Sequence, residues 1–346
     1  MNGRYQLDCV SWEITLKCNL RCIHCEFSAG KASPDELSTK EAIKLCEDLH
    51  RLKCKRIILM GGEPFLRKDW YILSEKIKNL EIELAFISNG YIINKSLFSR
   101  LQKLKPTFIG VSIDGGKAET HDYIRGVKGS FDRALRFIDS CIELGIPVIV
   151  ITSVHKLNIK ELPILRDILF DKENLHWKIQ ITDVEGRFPK KYLVSEEEFY
   201  WVGEFIASTQ KQHPKGEKFV TGAHDMGYHS SILPNLLGFE WNGCPAGISI
   251  LAIRSNGDVS GCASLGPRFN EGNIRERSVV DIWNDPNAFA YNRKFKIEDL
   301  GENCKGCKYA ETCKGGCMGF SIAFTGKPHN HPYCFYKIEP ELLGKK

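Results

Sequence analysis

The chain has 346 residues, 42% of them apolar, and its 48 Lys and Arg residues exceed its 43 Asp and Glu residues by only five. This length predicts about two domains with a sizeable core. The basic residues are scattered, which argues against a nucleic-acid-binding protein. No apolar run reaches the ~18 residues of a membrane span, and the N-terminus lacks a signal pattern. We therefore expect a cytoplasmic protein that binds neither nucleic acid nor membrane.

Fourteen cysteines are unusual in a reducing compartment, where disulfides are rare. Metal or redox chemistry is their more natural use. Three lie in the segment LKCNLRCIHC and seven in the last third of the chain. The three are Cys18, Cys22 and Cys25, and the seven are Cys244, Cys262, Cys304, Cys307, Cys313, Cys317 and Cys334. We expect the other four, Cys9, Cys46, Cys54 and Cys141, to be small core residues, because they border apolar strands or lie on apolar helix faces.

Strand-like and helical patterns alternate through residues 9–182. Six short runs rich in Ile, Val and Phe are typical of strands buried on both faces. They are Val10–Thr15, Arg56–Met60, Glu83–Ile87, Phe108–Ile113, Val148–Thr152 and Lys178–Thr182. A capping box begins at Ser38, and apolar residues follow Phe131 at helical spacing. The repeats predict an α/β fold whose parallel sheet is either open and doubly wound or a partial barrel.

The composition changes along the rest of the chain. Ser195 opens a further helix, and the polar segment 210–218 reads as a linker. After about residue 240 Gly and Cys become frequent, and Val279–Trp283 stands out as the one short helix. Such a loop-rich segment buries little apolar surface and needs metal staples. The predicted organisation is a barrel over residues 1–190, a helical bridge over 191–240 and a cysteine-rich domain over 241–346.

The first three cysteines directly follow the first predicted strand. They therefore lie at the carboxyl end of that strand, the edge that carries active sites in βα folds. Three thiolates can hold three irons of a [4Fe–4S] cluster and leave the fourth iron open to another ligand. The spacing C-x3-C-x2-C would also suit a zinc site with His24 as the fourth ligand.

This motif resembles that of the radical S-adenosylmethionine (radical SAM) enzymes, and the resemblance extends along the following strands. In that family the second strand ends in G-G-E-P, the third often in T-N-G and the fourth often in S-[IL]-D-G. The matching residues here are Gly61, Gly62, Glu63 and Pro64; Ser88, Asn89 and Gly90; and Ser112, Ile113, Asp114 and Gly115. Each motif is weak alone, but four in order at successive strand ends are specific. The resemblance implies a partial (β/α)6 barrel.

The resemblance also implies a role for each motif. S-adenosylmethionine (SAM) would chelate the open iron, with Glu63 accepting from its amine and Arg125 pairing with its carboxylate. Gly61 and Gly62 would allow close backbone approach, and His24 would pack on adenine. The residues suited to the ribose hydroxyls are Ser88, Asn89, Ser112 and Asp114. One electron would then cleave SAM to methionine and a 5′-deoxyadenosyl radical, which abstracts hydrogen from the substrate.

The seven late cysteines resemble the SPASM extension of this family, which binds two auxiliary iron–sulfur clusters that we expect to be [4Fe–4S]. Carried over by position, one cluster uses Cys304, Cys307, Cys313 and Cys334, and the other uses Cys244, Cys262 and Cys317. A pair of zinc sites is the alternative. Ile250 and Ala263 replace a cysteine and a carboxylate of the sulfatase maturases, so sulfatase maturation is not expected.

Family membership implies modification of a ribosomally made peptide. Because the first strand begins by residue 10, we expect a separate leader-binding protein, with recognition of the peptide by the barrel itself as the alternative. We also expect a flavodoxin or ferredoxin as electron donor. The alternative substrate is a small molecule such as a tetrapyrrole; the SAM motifs argue against a third interpretation, a non-catalytic electron carrier. His224 and Asp225 are candidate acid/base residues, although a capped turn with a solvated histidine would give the same pattern.

Overall fold

The computed structural model describes residues 5–344. Within them, ten strands form one sheet in the order β10-β9-β8-β1-β2-β3-β4-β5-β6-β7. The strands are β1 Cys9–Thr15, β2 Arg56–Gly61, β3 Glu83–Ser88, β4 Phe108–Ser112, β5 Val148–Val154, β6 Leu175–Ile181, β7 Val220–Gly222, β8 Ile250–Ile253, β9 Asp258–Ser260 and β10 Gly272–Asn273.

Helices connect and cover these strands. They are α1 Thr39–Arg51, α2 Trp70–Asn79, α3 Lys95–Leu104, α4 Ala118–Arg125, α5 Ser130–Glu143, α6 Leu162–Leu169, α7 Glu196–Gln212, α8 Val279–Asn284, α9 Ala290–Arg293, α10 Ala310–Cys313, α11 Met318–Thr325 and α12 Phe335–Gly344. No helix within residues 5–344 is long and apolar enough to cross a membrane.

All six predicted strands are present, and β1 to β7 pair in parallel from one strand to the next. The largest boundary difference is in β6, which begins at Leu175 rather than at Lys178. Parallel strands joined by helices bring their carboxyl ends to one edge of the sheet. The motifs that end β1 to β4 therefore meet at that edge, and the predicted α/β barrel architecture is confirmed.

The predicted helix starts are also confirmed. Ser38 caps α1 and Ser195 caps α7, each in a complete capping box with the glutamate three residues later. The polar segment 210–218 contains the end of α7 and a short 3-10 turn. Helices such as α2, α5 and α7 pack on the sheet, while α8 packs on α1 and α12 on α7, so much of the core lies between the helices and the strands.

The core contains three of the four remaining cysteines. Cys46 and Cys141 are fully buried and Cys54 nearly so, while Cys9 is half-buried at the start of β1. Burial raises the pKa of the Cys46 and Cys141 thiols to about 12, so both behave as neutral, small apolar side chains. These placements agree with a packing role.

The cysteine-rich part of the chain extends the same sheet. β8 pairs in parallel with β1, and β9 and β10 continue as antiparallel strands. β7 lies in the segment predicted as a bridge and pairs with β6. One sheet thus runs through all three predicted parts of the chain. The four helices α9 to α12 were not predicted, because three of them span four to eight residues and α12 contains Pro340.

Candidate active site

Residues 16–30 form a closed loop at the carboxyl end of β1, and this loop carries the first three cysteines. A parallel bridge joins Lys17 to Gly30 at its base, and the peptide N–H of Cys18 donates to Gly30 O at 3.0 Å. Farther along, Ile23 N donates to Ile124 O near the end of α4 at 2.9 Å. The loop is therefore fastened both to itself and to the barrel.

Two of its sulfur atoms accept peptide hydrogen bonds from the loop itself. Leu20 N lies 3.4 Å from Cys18 Sγ, and Ala29 N lies 3.3 Å from Cys25 Sγ. Hydrogen bonds of this kind stabilise a thiolate relative to a thiol. Burial nevertheless raises the pKa of the metal-free Cys18 thiol to about 11, so binding of metal has to displace a proton there.

Side chains from the end of β3 and the end of α4 supply two further donors. Arg125 Nη1 lies 3.7 Å from Cys22 Sγ, and Asn89 Nδ2 lies 3.7 Å from Cys18 Sγ. All three sulfurs thus face N–H groups, and the guanidinium adds a positive charge beside the most buried of them. Three thiolates with such donors fit an iron–sulfur cluster that leaves one iron open.

Gly61 and Gly62 bring the end of β2 against this loop. A Cβ on Gly61 would lie 2.3 Å from Thr15 O, and one on Gly62 would lie 2.4 Å from Lys17 O. Gly61 also has a φ of 131°, which favours glycine. Because the peptide N–H of Gly62 donates to Thr15 O at 2.8 Å, the ends of β1 and β2 are locked together. Pro64 then opens a buried 3-10 turn.

Glu63 is fully buried and connects the ends of β2 and β3. Ser88 Oγ donates to its Oε1 at 3.0 Å, and the peptide N–H of Asn89 donates to Oε2 at 2.8 Å. Burial raises the pKa of this carboxyl to about 7, although these hydrogen bonds favour the charged form. In the structure Glu63 therefore holds the turn that carries Asn89. Its bond to the SAM amine stays a prediction, as do the ribose contacts of Ser88 and Asn89.

Asp114 and Arg125 form a buried ion pair beside the loop. Arg125 Nη2 lies 2.5 Å from Asp114 Oδ2, and His24 Nε2 lies 3.3 Å from the same oxygen. Burial would raise the pKa of Asp114, but the Arg125 guanidinium, two neighbouring histidines and a peptide hydrogen bond together outweigh it and hold that pKa at about 2. Burial lowers the pKa of His24 to about 3, so its ring is neutral. Ser112 ends β4 and is half-buried.

Arg125 was predicted to pair with the SAM carboxylate, and Asp114 to meet the ribose. In the structure both side chains bond to protein groups instead, namely to each other, to Cys22 and to the Ser153 peptide N–H. Their predicted contacts with SAM, like those of Ser112 and His24, stay predictions.

Four of the late cysteines line one cavity near the end of the chain. They are Cys304, Cys307, Cys313 and Cys334, the set assigned to one auxiliary cluster from the resemblance. Burial and then the neighbouring Cys334 charge raise the pKa of Cys313 to about 12. Tyr228 and His331 complete the wall of this cavity. We call these four residues the outer cysteine group.

The other three form a second group, which we call the inner cysteine group: Cys244, Cys262 and Cys317. Burial first, and then the charges of Cys244 and Cys262, raise the pKa of Cys317 well above its usual value, so the three sulfurs are near neighbours. No three His, Cys, Asp or Glu side chains within residues 5–344 converge on a point where a single ion would bind. An iron–sulfur cluster differs from a single ion in binding each thiolate to a separate iron.

His224 and Asp225 follow β7 at the same edge of the sheet. Asp225 is buried, its Oδ2 accepts from Ile181 N at 2.5 Å, and burial raises its pKa to about 7. Solvent reaches His224, yet the surrounding protein and the Lys178 cation lower its pKa to about 4. Both side chains are therefore in perturbed environments of the kind found at functional sites.

Sequence reasoning missed three further charged residues in this region: Lys178, Asp183 and Glu26. Burial lowers the pKa of Lys178, and burial raises the pKa of Asp183. Lys178 lies on the less buried side of β6, and a lysine inside the apolar run LHWKIQI was a usable signal. Glu26 directly follows Cys25, but its position in the sequence does not show whether its side chain faces the site.

Glu26 links the first cysteine loop to the inner cysteine group. Burial, followed by the charge of Asp183, raises its pKa to about 7, and a hydrogen bond with Ser264 opposes the rise. Ser264 also hydrogen bonds to Cys262. Burial is the main cause that raises the pKa of the Cys262 thiol, and the charges of Cys244 and Glu26 raise it further. The inner group therefore lies on the barrel side of the cysteine-rich domain.

The fold and the site together define an iron–sulfur barrel enzyme, and comparisons with known proteins identify its class. The radical SAM superfamily matches residues 12–168, and the SPASM iron–sulfur cluster-binding domain matches residues 244–308. An Fe-coproporphyrin III synthase from Methanosarcina barkeri is 31% identical over 88% of this chain and 82% of its own length. The mycofactocin maturase MftC from Mycobacterium ulcerans is 30% identical over 94% of this chain and 86% of its own length.

Among solved structures, SAM-bound SuiB from Streptococcus suis superposes with a TM-score of 0.75 at 20% identity, covering 94% of this chain and 76% of that chain. It shares the fold. The chain belongs to the radical SAM superfamily and carries a C-terminal SPASM domain. It is accordingly an enzyme that binds SAM and iron–sulfur clusters, as the sequence motifs predicted.

We predict that Glu63→Gln weakens SAM binding about tenfold, because a buried hydrogen bond to a charged acceptor contributes ~1.5–3 kcal/mol and the amide would turn a donor toward Ser88 or Asn89. Equilibrium dialysis of reconstituted protein measures this. Iron content should stay at the wild-type value, and Glu47→Gln, on the α1 surface beside Lys76, should change neither quantity. Unchanged SAM affinity in Glu63→Gln would show that the β2–β3 connection does not shape the SAM site.

Replacing Cys18, Cys22 and Cys25 together by Ala should remove about a third of the iron, since three clusters share it if each is [4Fe–4S]. Iron and sulfide analysis of anaerobically reconstituted protein measures the loss. Cys46→Ala, in the core, is the matched control and should retain all iron. Zinc without sulfide in the wild-type protein would contradict the cluster assignment altogether.

Proposed function

We propose that this enzyme modifies a ribosomally made peptide by abstracting hydrogen from it, with two auxiliary [4Fe–4S] clusters on the outer and inner cysteine groups. The observation that carries the peptide assignment is the charge of the interior wall between the first cysteine loop and the inner group. Four carboxyl groups, those of Glu26, Asp183, Glu185 and Asp225, lie in the same electrostatic neighbourhood with two cations, Lys178 and Arg254.

This wall suits a substrate that brings cations or N–H donors. Glu26 Oε1 and Asp225 Oδ1 are buried and have no hydrogen-bond partner in the structure. Buried acceptors without partners are costly, by about 1–3 kcal/mol each, and peptide N–H groups or basic side chains would satisfy them. A porphyrin that carries several propionates would instead face carboxylates, and like charges in a partly buried site repel.

The clusters and SAM supply the 5′-deoxyadenosyl radical and the route for electrons. The residues of this chain hold the reactants: Gly61 and Gly62 let the backbone approach SAM, Glu63 orients the Asn89 turn, and Arg125 places a positive charge beside Cys22. Asp225 is our candidate base for a proton that leaves the substrate. A separate leader-binding protein and a flavodoxin or ferredoxin donor are part of this proposal.

A tetrapyrrole is the second candidate substrate. It is favoured by the similarity to the Fe-coproporphyrin III synthase from M. barkeri, and by Lys178, which forms no ion pair with any carboxylate of residues 5–344. A cation on the interior wall could form an ion pair with a propionate group of the substrate. The interior wall around it still carries more carboxylates than cations, so we rank this candidate below the peptide.

Substrate-derived deuterium decides between the candidates. Reduced enzyme is supplied with SAM and with either a deuterated peptide encoded beside its gene, plus any leader-binding partner, or a deuterated tetrapyrrole precursor of Fe-coproporphyrin III. We expect deuterium in 5′-deoxyadenosine only with the peptide. Cys262→Ala should lose the product and keep SAM cleavage, because the radical forms at a different cluster. Labelling from the porphyrin alone would move the assignment to the second candidate.

Asp225 predicts a pH dependence. Its pKa of about 7 is raised, so the carboxyl is protonated below that pH and becomes a base above it. Product formed per 5′-deoxyadenosine should rise between pH 6 and pH 8 in the wild type. In Asp225→Asn this ratio should be about 10²-fold lower than in the wild type at pH 8, and it should not change with pH. As a control, Asp139→Asn, at a surface pair with Lys172, should keep the wild-type pH profile. A wild-type pH profile in Asp225→Asn would show that Asp225 is not the base.

A further inference from the structure

Tyr228 lies between the barrel and the cysteine-rich domain, in the segment that also carries the candidate acid/base residues His224 and Asp225. Its hydroxyl donates to His224 O at 2.7 Å and accepts from the peptide N–H of Cys317 at 2.8 Å. Burial, and then the charge of Cys317, raises the pKa of the phenol well above its usual value. The hydroxyl is therefore neutral and is bonded on both sides to backbone groups.

The ring of Tyr228 contacts a second aromatic residue, which bonds to the outer cysteine group. It stacks on Trp241 with ring centroids 4.3 Å apart and an interplanar angle of 30°. Trp241 Nε1 in turn donates to Cys313 O at 3.1 Å. Tyr228 thus holds the backbone of a cysteine of the inner group, and Trp241 holds that of a cysteine of the outer group.

The segment between those two cysteines does not fix their separation by itself. Lys314, Gly315 and Gly316 all have positive φ values, of 53°, 76° and 74°, and glycines in this region have wide conformational freedom. A Cβ on Gly316 would lie 2.5 Å from Tyr228 Cε2, so the tyrosine ring is packed directly on the segment. The aromatic pair bonds to the cysteines at both ends of the segment, and His329 and Ser321 bond to the carbonyls between them.

We propose that Tyr228 is a positioning residue for the inner auxiliary cluster, where it fixes the Cys317 backbone and lowers the reduction potential of that cluster. Peptide N–H dipoles beside ligand sulfurs stabilise the reduced cluster and raise its potential. The Tyr228 oxygen turns one such dipole toward itself and partly cancels its field at the sulfur.

The same hydroxyl connects the cluster to the turn that carries His224 and Asp225. Because Tyr228 also bonds His224 O, a displacement of that turn alters the hydrogen bond to Cys317. Coupling between two sites is reciprocal, so the oxidation state of the inner cluster would also bias the turn. This inference rests on the proposed division of the cysteines into groups of four and three, and it is independent of what the substrate is.

The test is a redox titration of reconstituted protein without substrate, monitored by electron paramagnetic resonance. In Tyr228→Phe the inner-cluster signal should titrate at a more positive potential and the SAM-cluster signal should stay in place. The outer-cluster signal should shift less than the inner one, because among the cluster ligands the removed hydroxyl bonds only to Cys317. Trp241→Phe, which keeps the stacked ring but removes the bond to Cys313, should shift the outer signal and leave the inner one. 3-Fluorotyrosine at position 228 keeps both hydrogen bonds with a weaker acceptor, and should give a smaller shift in the positive direction.

Iron analysis of the wild type comes first: if only two clusters load, the division of the cysteines fails, and the proposal fails with it. With three clusters, wild-type potentials in Tyr228→Phe at full iron content would overturn the proposal. Equal shifts of all three signals would do the same, because they would indicate general loosening. If Tyr228→Phe loses iron, the 3-fluorotyrosine protein decides: an unshifted inner signal there overturns the proposal.

Discussion

Sulfur anions held away from water need hydrogen-bond donors, and this requirement organises the carboxyl edge of the sheet. Burial favours the neutral thiol, as the raised pKa of Cys18 shows, and hydrogen-bond donors beside the sulfur oppose that effect. The parallel sheet meets the requirement because the strand ends β1 to β4 converge there. Asn89 reaches one sulfur and Arg125 another, and each is held by a buried carboxylate, Glu63 or Asp114.

The strands and the first helices could be predicted from the sequence because their signals are local. Runs buried on both faces and capping boxes at Ser38 and Ser195 are visible without any knowledge of neighbours. The helices after residue 290 depend instead on tertiary contacts, such as that of Phe335 on α12 with Phe199 on α7, whose ring centroids lie 4.8 Å apart. A short helix that forms only against a distant partner leaves little periodicity to recognise.

The site shows a similar division. Motif order predicted which residues gather at the edge, because strand order alone brings Cys18, Glu63, Asn89 and Asp114 together. Motif order did not predict that Glu63 and Arg125 would bond to protein groups. The partner of a long side chain depends on its rotamer and on neighbours that are distant in the sequence. Lys178 is visible in the sequence as a lysine within an apolar run, but the side of β6 that faces the interior depends on the packing of its neighbours.

The geometry between the two halves of the site follows from sheet register rather than from a linker. β8 pairs with β1 from Cys9↔Ile250 to Trp12↔Ile253, so the strand that leads toward Cys262 is hydrogen-bonded to the strand that leads into Cys18. A shift by one residue would turn every side chain of β8 to the opposite face, and the buried bond of Ser255 to Glu13 would be lost. Register thus fixes the placement of the inner group beside Glu26, and with it the gap in which a substrate has to fit.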